Sequence, residues 1–447
     1  MITIWQRYLT NLSRRRSPLL AAIALAATAM AGPVSASTGV TEGPLPSLVE
    51  LFLAQWKYAS GDNHGNDCSD NWSPAVTNDM AYLIPWFPEN KAAYWIYGYD
   101  REQAGDDLVL RLKGKFPHAR YMSFHLYDGN TGRLVTGRSS FKDLQLAPDQ
   151  GSSNPFVAGV DREVSDRDYG LIIAPEGAVV EAGTNVLRIP DNVRYPLFIY
   201  RVYRADDQYA HDGGVALPQV LAYSAGDGQP VTSCPEPVMP VSEGLDPTKR
   251  PDTRLYYSPQ IHAYSKHPEY SGLLPNSHNY YGQTGVTRDL GEVALLRFKA
   301  ATTPDTAGDG GSFSHKEDLR YWSLCISGDV FTNTSSCLWD DVVVKDEDGY
   351  VKVAIGPDTD AFRAAASAKG YNPMAWGYHL RHVVYHRHMQ NDSGFKNSYK
   401  DVPHIDFSKP LNEQWADRYI GDYAFTGFYC SEKEFVSGDC GFESSDQ

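Results

Sequence analysis

The chain has 447 residues, with 40 Lys+Arg against 55 Asp+Glu for a formal charge of −15. Its 42% hydrophobic and 21% charged residues are close to ordinary globular values, which excludes wholesale disorder and fibrous repeats. The acidic balance disfavours nucleic acid and anionic membrane surfaces as partners, because no Lys/Arg cluster outside the first residues opposes it.

Residues 1–36 hold Arg7, Arg14, Arg15 and Arg16 and no carboxylate, then the uncharged run Pro18 to Gly32, then Val34-Ser35-Ala36. This order is that of a secretory signal peptide. As a helix the run would reach about 22 Å, short of a bilayer core of about 30 Å, and no second apolar run of spanning length follows. The expectation is export to the periplasm or the medium without stable membrane insertion. Cys68, Cys234, Cys325, Cys337, Cys430 and Cys440 follow the leader, an even number that reads as disulfides in an oxidising compartment. Cys325 with Cys337 and Cys430 with Cys440 close short loops, which leaves Cys68 for Cys234. No C-x-x-C spacing supports a zinc knuckle or a redox motif.

Helical spacing appears in Pro46 to Tyr58, through Leu48, Leu51, Phe52 and Trp56, within a lead-in over 37–90. Beyond it, runs rich in β-branched and aromatic residues alternate with Gly, Pro, Asn and Asp. They are Leu108 to Lys113, Arg120 to Tyr127, Leu171 to Ala174, Leu197 to Tyr203, Val293 to Lys299, Tyr321 to Ile326, Val351 to Ile355 and His382 to Met389. The class is mainly β with few helices. The runs recur in order. Leu108 to Gly114 resembles Ala294 to Ala300, Arg120 to Phe124 resembles Arg320 to Leu324, Tyr169 to Glu176 parallels Tyr350 to Asp358, and Leu197 to Tyr203 parallels the stretch near His382 to Met389. The offset grows from 186 to 200 across the Gly/Ser/Asp-rich insertion Thr302 to Asp318. The reading is an internal duplication, with tandem β-domains over 91–240 and 241–403 and a disulfide-bearing tail over 404–447.

The first copy carries Ala119-Arg-Tyr-Met-Ser-Phe-His-Leu-Tyr-Asp128, then Asn185-Val-Leu-Arg-Ile-Pro190, then Phe198-Ile-Tyr-Arg-Val-Tyr203. That order resembles the "domain of unknown function 1214" pattern, over about 110 residues of the first half and more loosely about 100 of the second. The second copy departs from it, with Cys325 in place of His125, no Asn-x-Leu-x-x-Pro segment, and His-Arg-His in place of Arg-Val-Tyr. The resemblance implies a β-sandwich or jelly-roll-like fold for each copy and supplies no catalytic residues.

The segment Tyr378 to Met389 is dense in histidine. On a strand, His382, Val384, His386 and His388 share one face while Tyr385 and Arg387 share the other. Imidazoles two residues apart on one face can chelate a metal as in cupin-type jelly rolls, although the usual Glu is absent here and Gln390, Asn391 and Asp392 follow. One reading is a divalent transition metal on His382, His386 and His388; another is a cofactor-free strand whose histidines hydrogen-bond in a cleft or face solvent. A metal-free alternative uses His386, His388, Tyr385 and Arg387 as base, proton donor and cation, with strand alternation against it. Asp62, Asn63, Asp67 and Asp70 offer calcium-type ligands but lack the EF-hand order and read as a polar turn. No G-x-S-x-G, H-E-x-x-H, Walker or G-x-G-x-x-G motif is present. Tyr94, Trp95, Tyr97, Tyr99, Tyr280 and Tyr281 suit a strand core equally with the faces of sugars or aromatic ligands. The sequence thus favours an exported enzyme acting on a glycan or small aromatic or hydrophobic substrate in a β-domain cleft. The alternative is an exported envelope protein that binds such a ligand without chemistry.

Overall fold

The computed structural model describes residues 65–78, 89–180, 185–238, 257–270, 274–306, 311–328 and 334–442. The leader, the helix expected over 46–58, and Asp62 and Asn63 lie outside them. The described residues form nineteen strands in four sheets with few helices, so the chain is mainly β.

In the first half the outer sheet runs β7 (Val186–Ile189), β6 (Asp168–Pro175), β2 (Leu108–Lys115), β9 (Gln219–Ser224). The inner sheet runs β1 (Ala92–Gly98), β8 (Pro196–Ala205), β3 (Ala119–Asp128), with β4 (Arg133–Leu134) and β5 (Ser140–Lys142) on the far edge of β3. In the second half the inner sheet runs β11 (Tyr264–Lys266), β12 (Asn279–Thr287), β18 (Arg381–Asn391), β14 (Leu319–Gly328), β15 (Thr334–Trp339). Its outer sheet runs β10 (Gln260–His262), β19 (Thr426–Cys430), β13 (Val293–Lys299), β16 (Tyr350–Gly356), β17 (Asn372–Ala375). One strand order therefore occurs twice, including a parallel end pair, β6 with β7 and β16 with β17.

Alternation explains the packing. Met122, Phe124 and Leu126 of β3 point to a core shared with Tyr200 and Val202 of β8 and with Leu110, Leu112 and Ile173 of the outer sheet. Trp322, Leu324 and Ile326 of β14 do the same against Leu296, Phe298, Val353 and Ile355. Each such aliphatic side chain contributes about 1.5–3 kcal/mol by burial. Yet β14 is buried at every position and β3 at all but its last, on both faces. Their second faces meet: Ala92, Tyr121 and Tyr203 form one cluster with Tyr321 and Met389, and the Tyr203 and Tyr321 rings lie 6.0 Å apart. The two inner sheets thus stack on one another between the two sandwich cores.

The structure shifts the sequence alignment of the halves in one place and adds a counterpart in another. Ser123 pairs with Arg201 across β3 and β8, and Ser323 pairs with Arg387 across β14 and β18. Arg201 and Arg387 therefore occupy matching positions, and the His-Arg-His segment stands opposite Tyr200-Arg-Val202, one residue from the alignment made above. The Asn segment also has a counterpart. Asn185 bonds the backbone of Ala147 and Gly170, and Asn372 bonds that of Val344 and Lys352 in the same way at the start of the parallel end strand.

The stretch expected as a tail contributes a strand. Thr426–Cys430 lies between β10 and β13, while Ile420 and Phe425 belong to the second core. Two helices flank this sheet: α1 (Asp360–Ala368), capped by the Thr359 side chain, and α2 (Glu432–Ser437), opened by a Ser431/Glu434 capping box. The disulfides join Cys68 to Cys234, Cys325 to Cys337 and Cys430 to Cys440. The first spans 166 residues and clamps the ends of the first half, worth about 4–5 kcal/mol by loop-closure entropy.

Candidate functional site

Strand β18 carries the sequence-predicted site, and its two faces have different surroundings. His382, His386 and His388 share a face as alternation requires, but that face looks into the second sandwich core. The His386 ring lies 4.5 Å from Phe298 and 5.5 Å from Trp322, and its Nδ1 is 3.3 Å from the Tyr399 hydroxyl. Gly282 makes room for Tyr399, since a Cβ there would fall inside the phenol ring. His388 packs 4.5 Å from His386 and 4.6 Å from Tyr399. Burial pushes the imidazole of His386 well below its usual range, and lowers His388 to about 3 and His382 to about 4, so all three stay neutral near pH 7. His382 sits apart, against Trp376 and His379. Among the described residues no third ligand joins His386 and His388. The sets of His, Cys, Asp or Glu that do converge are Glu89 with disulfide-bonded Cys325 and Cys337, and His118 with Glu163 and Asp206. In the latter Arg162 already holds both Asp206 oxygens, at 2.6 and 2.8 Å. The ligand set expected from the sequence is therefore not brought together.

Tyr385 and Arg387 lie on the other face, in the layer between the inner sheets. The guanidinium of Arg387 stands 4.4 Å over the Tyr385 ring and 5.9 Å from Tyr281, and its Nη1 donates to Ser323 Oγ and Cys325 Sγ. Arg201 occupies the mirrored place, 5.8 Å from Tyr94 and 5.6 Å from Tyr127, with Nη2 donating to Leu274 O at 2.9 Å. Burial opposes both charges, but the surrounding phenol oxygens outweigh it and hold both guanidinium groups above their ordinary range. Tyr94, Tyr121 and Tyr321 are held protonated by burial, so none is a phenolate base at neutral pH.

Contacts across this layer are reciprocal. The Tyr121 hydroxyl lies 2.8 Å from His278 Nδ1 and 3.2 Å from Asn276 Oδ1, and Tyr321 donates to Glu89 Oε1 at 2.8 Å. Arg120 reaches Asp340 at 2.5 Å, and Arg320 reaches Asp143 at 3.4 Å. Each residue of one half meets, in the other, the counterpart of its own partner, the pattern of an isologous two-fold interface within one chain.

One side of the layer approaches the surface. A polar cleft of about 160 Å³ is lined by Lys142, His315, Arg320 and Gln390, among others. Two residues before Lys142, Ser140 Oγ lies 3.1 Å from both His278 Nε2 and Ser277 Oγ, and Ser277 Oγ lies 3.0 Å from His125 Nε2. In the same layer His125 Nδ1, Arg201 Nη1 and Asn276 Nδ2 are buried with no hydrogen-bond partner, as is Trp339 Nε1 opposite Ser323 in the other half. Water or a ligand completes the bonding of such atoms where a site has room for it. His125 is kept neutral by burial, and no carboxylate among the described residues backs its Nδ1, so Ser277 and His125 lack the third member of a hydrolytic triad.

The aromatic pairs read from sequence divide between these environments: Trp95 and Tyr97 are buried in the first core, whereas Tyr94 faces the middle layer. Asp67 accepts from Ser69 Oγ at 2.6 Å and Gln219 Nε2 at 2.8 Å, forming a polar turn. Sequence reasoning passed over Arg201, Ser123, His125, Asn276 and Glu89. A signal was present in Arg120-Tyr-Met-Ser123 and Arg320-Tyr-Trp-Ser323, where polar residues repeat on one face of otherwise apolar strands.

No family model matches the chain, and no curated protein matches it. Among solved structures it is similar to a putative uncharacterized protein from Burkholderia cenocepacia, with 11% identity over 79% of this chain and 88% of that one and a TM-score of 0.48. It is also similar to the VPA0106 protein from Vibrio parahaemolyticus, with 11% identity over 78% of this chain and 97% of that one and a TM-score of 0.37.

Proposed function

We propose that this is an exported protein that binds a small ring-bearing molecule or glycan unit, without chemistry, in the layer between its two inner sheets. The observation that carries the reading is the set of buried, unpartnered polar atoms His125 Nδ1, Arg201 Nη1 and Asn276 Nδ2 amid phenol rings. Rings offer apolar faces to a planar or sugar ligand, and a few convergent polar atoms orient it. The enzymatic reading weakens because His386 and His388 face an apolar core and stay neutral. Export rests on the leader-like residues 1–36 together with three disulfides. Descent from one duplicated β-unit, with its resemblance to the "domain of unknown function 1214" pattern, belongs to the same proposal and is supported by the repeated strand order and reciprocal contacts.

The test is calorimetric titration of residues 37–447 with neutral and acidic monosaccharides and simple aromatic compounds, each followed by mass spectrometry of the recovered ligand. Saturable binding with unchanged ligand is expected, weakened about tenfold or more by Tyr94→Ala. Conversion of any ligand, or an undiminished affinity in that variant, would sink the reading.

A further inference from the structure

The two matched arginines provide an internal control. Arg387 has a carboxyl group within its surroundings: Glu89 approaches within 4.8 Å of Cys325 Sγ, the atom to which Arg387 Nη1 donates at 3.2 Å; burial raises the Glu89 carboxyl above its usual range and the Arg387 charge works against that rise. The residue that plays the part of Glu89 in the other half, accepting from Tyr121 as Glu89 accepts from Tyr321, is Asn276. An amide stands where the mirrored site has an acid. Arg201 consequently forms no ion pair with any carboxylate among the described residues; its partners are the rings of Tyr94 and Tyr127, the Tyr127 hydroxyl and the Leu274 carbonyl. Its Nη1 lacks a hydrogen-bond partner, although Arg201 is only 3% exposed. The guanidinium stays charged, and with no carboxylate beside it the open Nη1 suits an anion from outside.

The second half closes its own version of the site. Ser323 Oγ accepts from Arg387, and the Cys325–Cys337 disulfide stands where the first half has His125 and Ser140. The first half keeps hydrogen-bonding groups at those positions, with Ser277 bonded to His125 and His278 to Ser140, two residues before Lys142 of the cleft.

We propose that Arg201 binds the carboxylate of the ligand, with Ser123 and Asn276 completing its hydrogen bonds and the Tyr94 and Tyr127 rings flanking the attached group. This rests on the middle layer being the binding chamber. A carboxylate fits because its two coplanar oxygens match the guanidinium fork. Phosphate would use the same charge through a tetrahedral group.

The test titrates benzoate, its neutral analogue benzamide, and inorganic phosphate into the parent, Asn276→Glu and Arg201→Lys, with near-ultraviolet circular dichroism to verify folding. Benzoate is expected to bind the parent about 10- to 100-fold more tightly than benzamide. Asn276→Glu supplies the missing charge from within, so it removes that preference and raises the ligand-free melting temperature. Arg201→Lys keeps the charge but loses the fork, so it weakens benzoate about tenfold and retains the preference over benzamide. Equal affinity for benzoate and benzamide in the parent, or an Asn276→Glu protein that binds benzoate as the parent does, overturns the carboxylate assignment while leaving the chamber in place. Phosphate binding in preference to benzoate overturns the carboxylate in favour of a tetrahedral oxyanion. Absence of saturable binding by every probe, glycans included, overturns both the assignment and the chamber.

Discussion

The two halves share a strand order, a matched Ser and Arg on paired inner strands, and a reciprocal set of contacts, yet they use them differently. In the second half the interior around Arg387 is closed by Glu89 and the Cys325–Cys337 disulfide. Around Arg201 the equivalent positions hold Asn276, His125 and Ser140, which leave charge and hydrogen-bonding capacity unspent. The cores differ in the opposite sense: the first packs Tyr200 and Val202 where the second packs His386 and His388. One framework thus carries its surplus polarity in the shared layer on one side and in a sealed core on the other. Histidine density in the sequence pointed to the sealed one.

The largest expected effect tests the reciprocal ion pairs. Arg120 and Asp340 are both fully buried, and Arg120 also donates to Thr306 at 2.9 Å. Arg120→Ala should cost about 3–5 kcal/mol, because it leaves the Asp340 carboxyl buried without its cation. Arg320→Ala should cost less, about 1–3 kcal/mol, because its bond to Asp143 is long and Gln390 also donates to that carboxylate. Urea unfolding of both variants checks the pair, and equal losses would erase the asymmetry.

Acid stability separates the two cores next. The histidine pKa values of the folded state lie below the unfolded value of about 6.5, so the unfolded chain takes up more protons as pH falls. The associated stability is complete above about pH 6.5 and is lost progressively toward the folded values, about 4 for His382 and about 3 for His388. Each such residue contributes about 1.4 kcal/mol per pH unit in that window. His386→Leu/His388→Leu should flatten the slope by roughly twice that amount and lose little stability at pH 7, since each leucine replaces a buried imidazole that has an unpaired ring nitrogen. An unchanged slope between pH 6 and 4 would mean that these imidazoles are already charged in the folded protein.

A smaller effect belongs to the phenol network. Tyr203 and Tyr94 hydroxyls lie 3.2 Å apart in the middle layer. Tyr203→Phe should cost about 1 kcal/mol and leave the benzoate preference at Arg201 intact. Loss of that preference would show that the network, rather than Arg201 alone, sets the charge of the chamber. The smallest expected change is in metal content: the protein purified without chelators should hold well under one transition-metal ion per chain, with no difference in the His386→Leu/His388→Leu variant. Stoichiometric metal in the parent that disappears from a folded variant would restore the metal-centre reading.

Local rules were enough for much of this molecule. Turn residues between β-branched runs marked most of the long strands, and the spacing of Cys325 with Cys337 and Cys430 with Cys440 led to the three disulfides that the structure contains. Period-two alternation correctly divided β18 into an imidazole face and a Tyr385/Arg387 face. Alternation says that two faces differ and is silent on which neighbour each will meet. That decision was tertiary: docking of the inner sheets joined Arg120 to Asp340 across 220 positions and Tyr321 to Glu89 across 232. It also sealed the histidines in a core and left Arg201, an ordinary strand residue by sequence, buried without a counter-charge. Contacts at such separations depend on how two finished sheets fit together, which no local pattern of residues encodes.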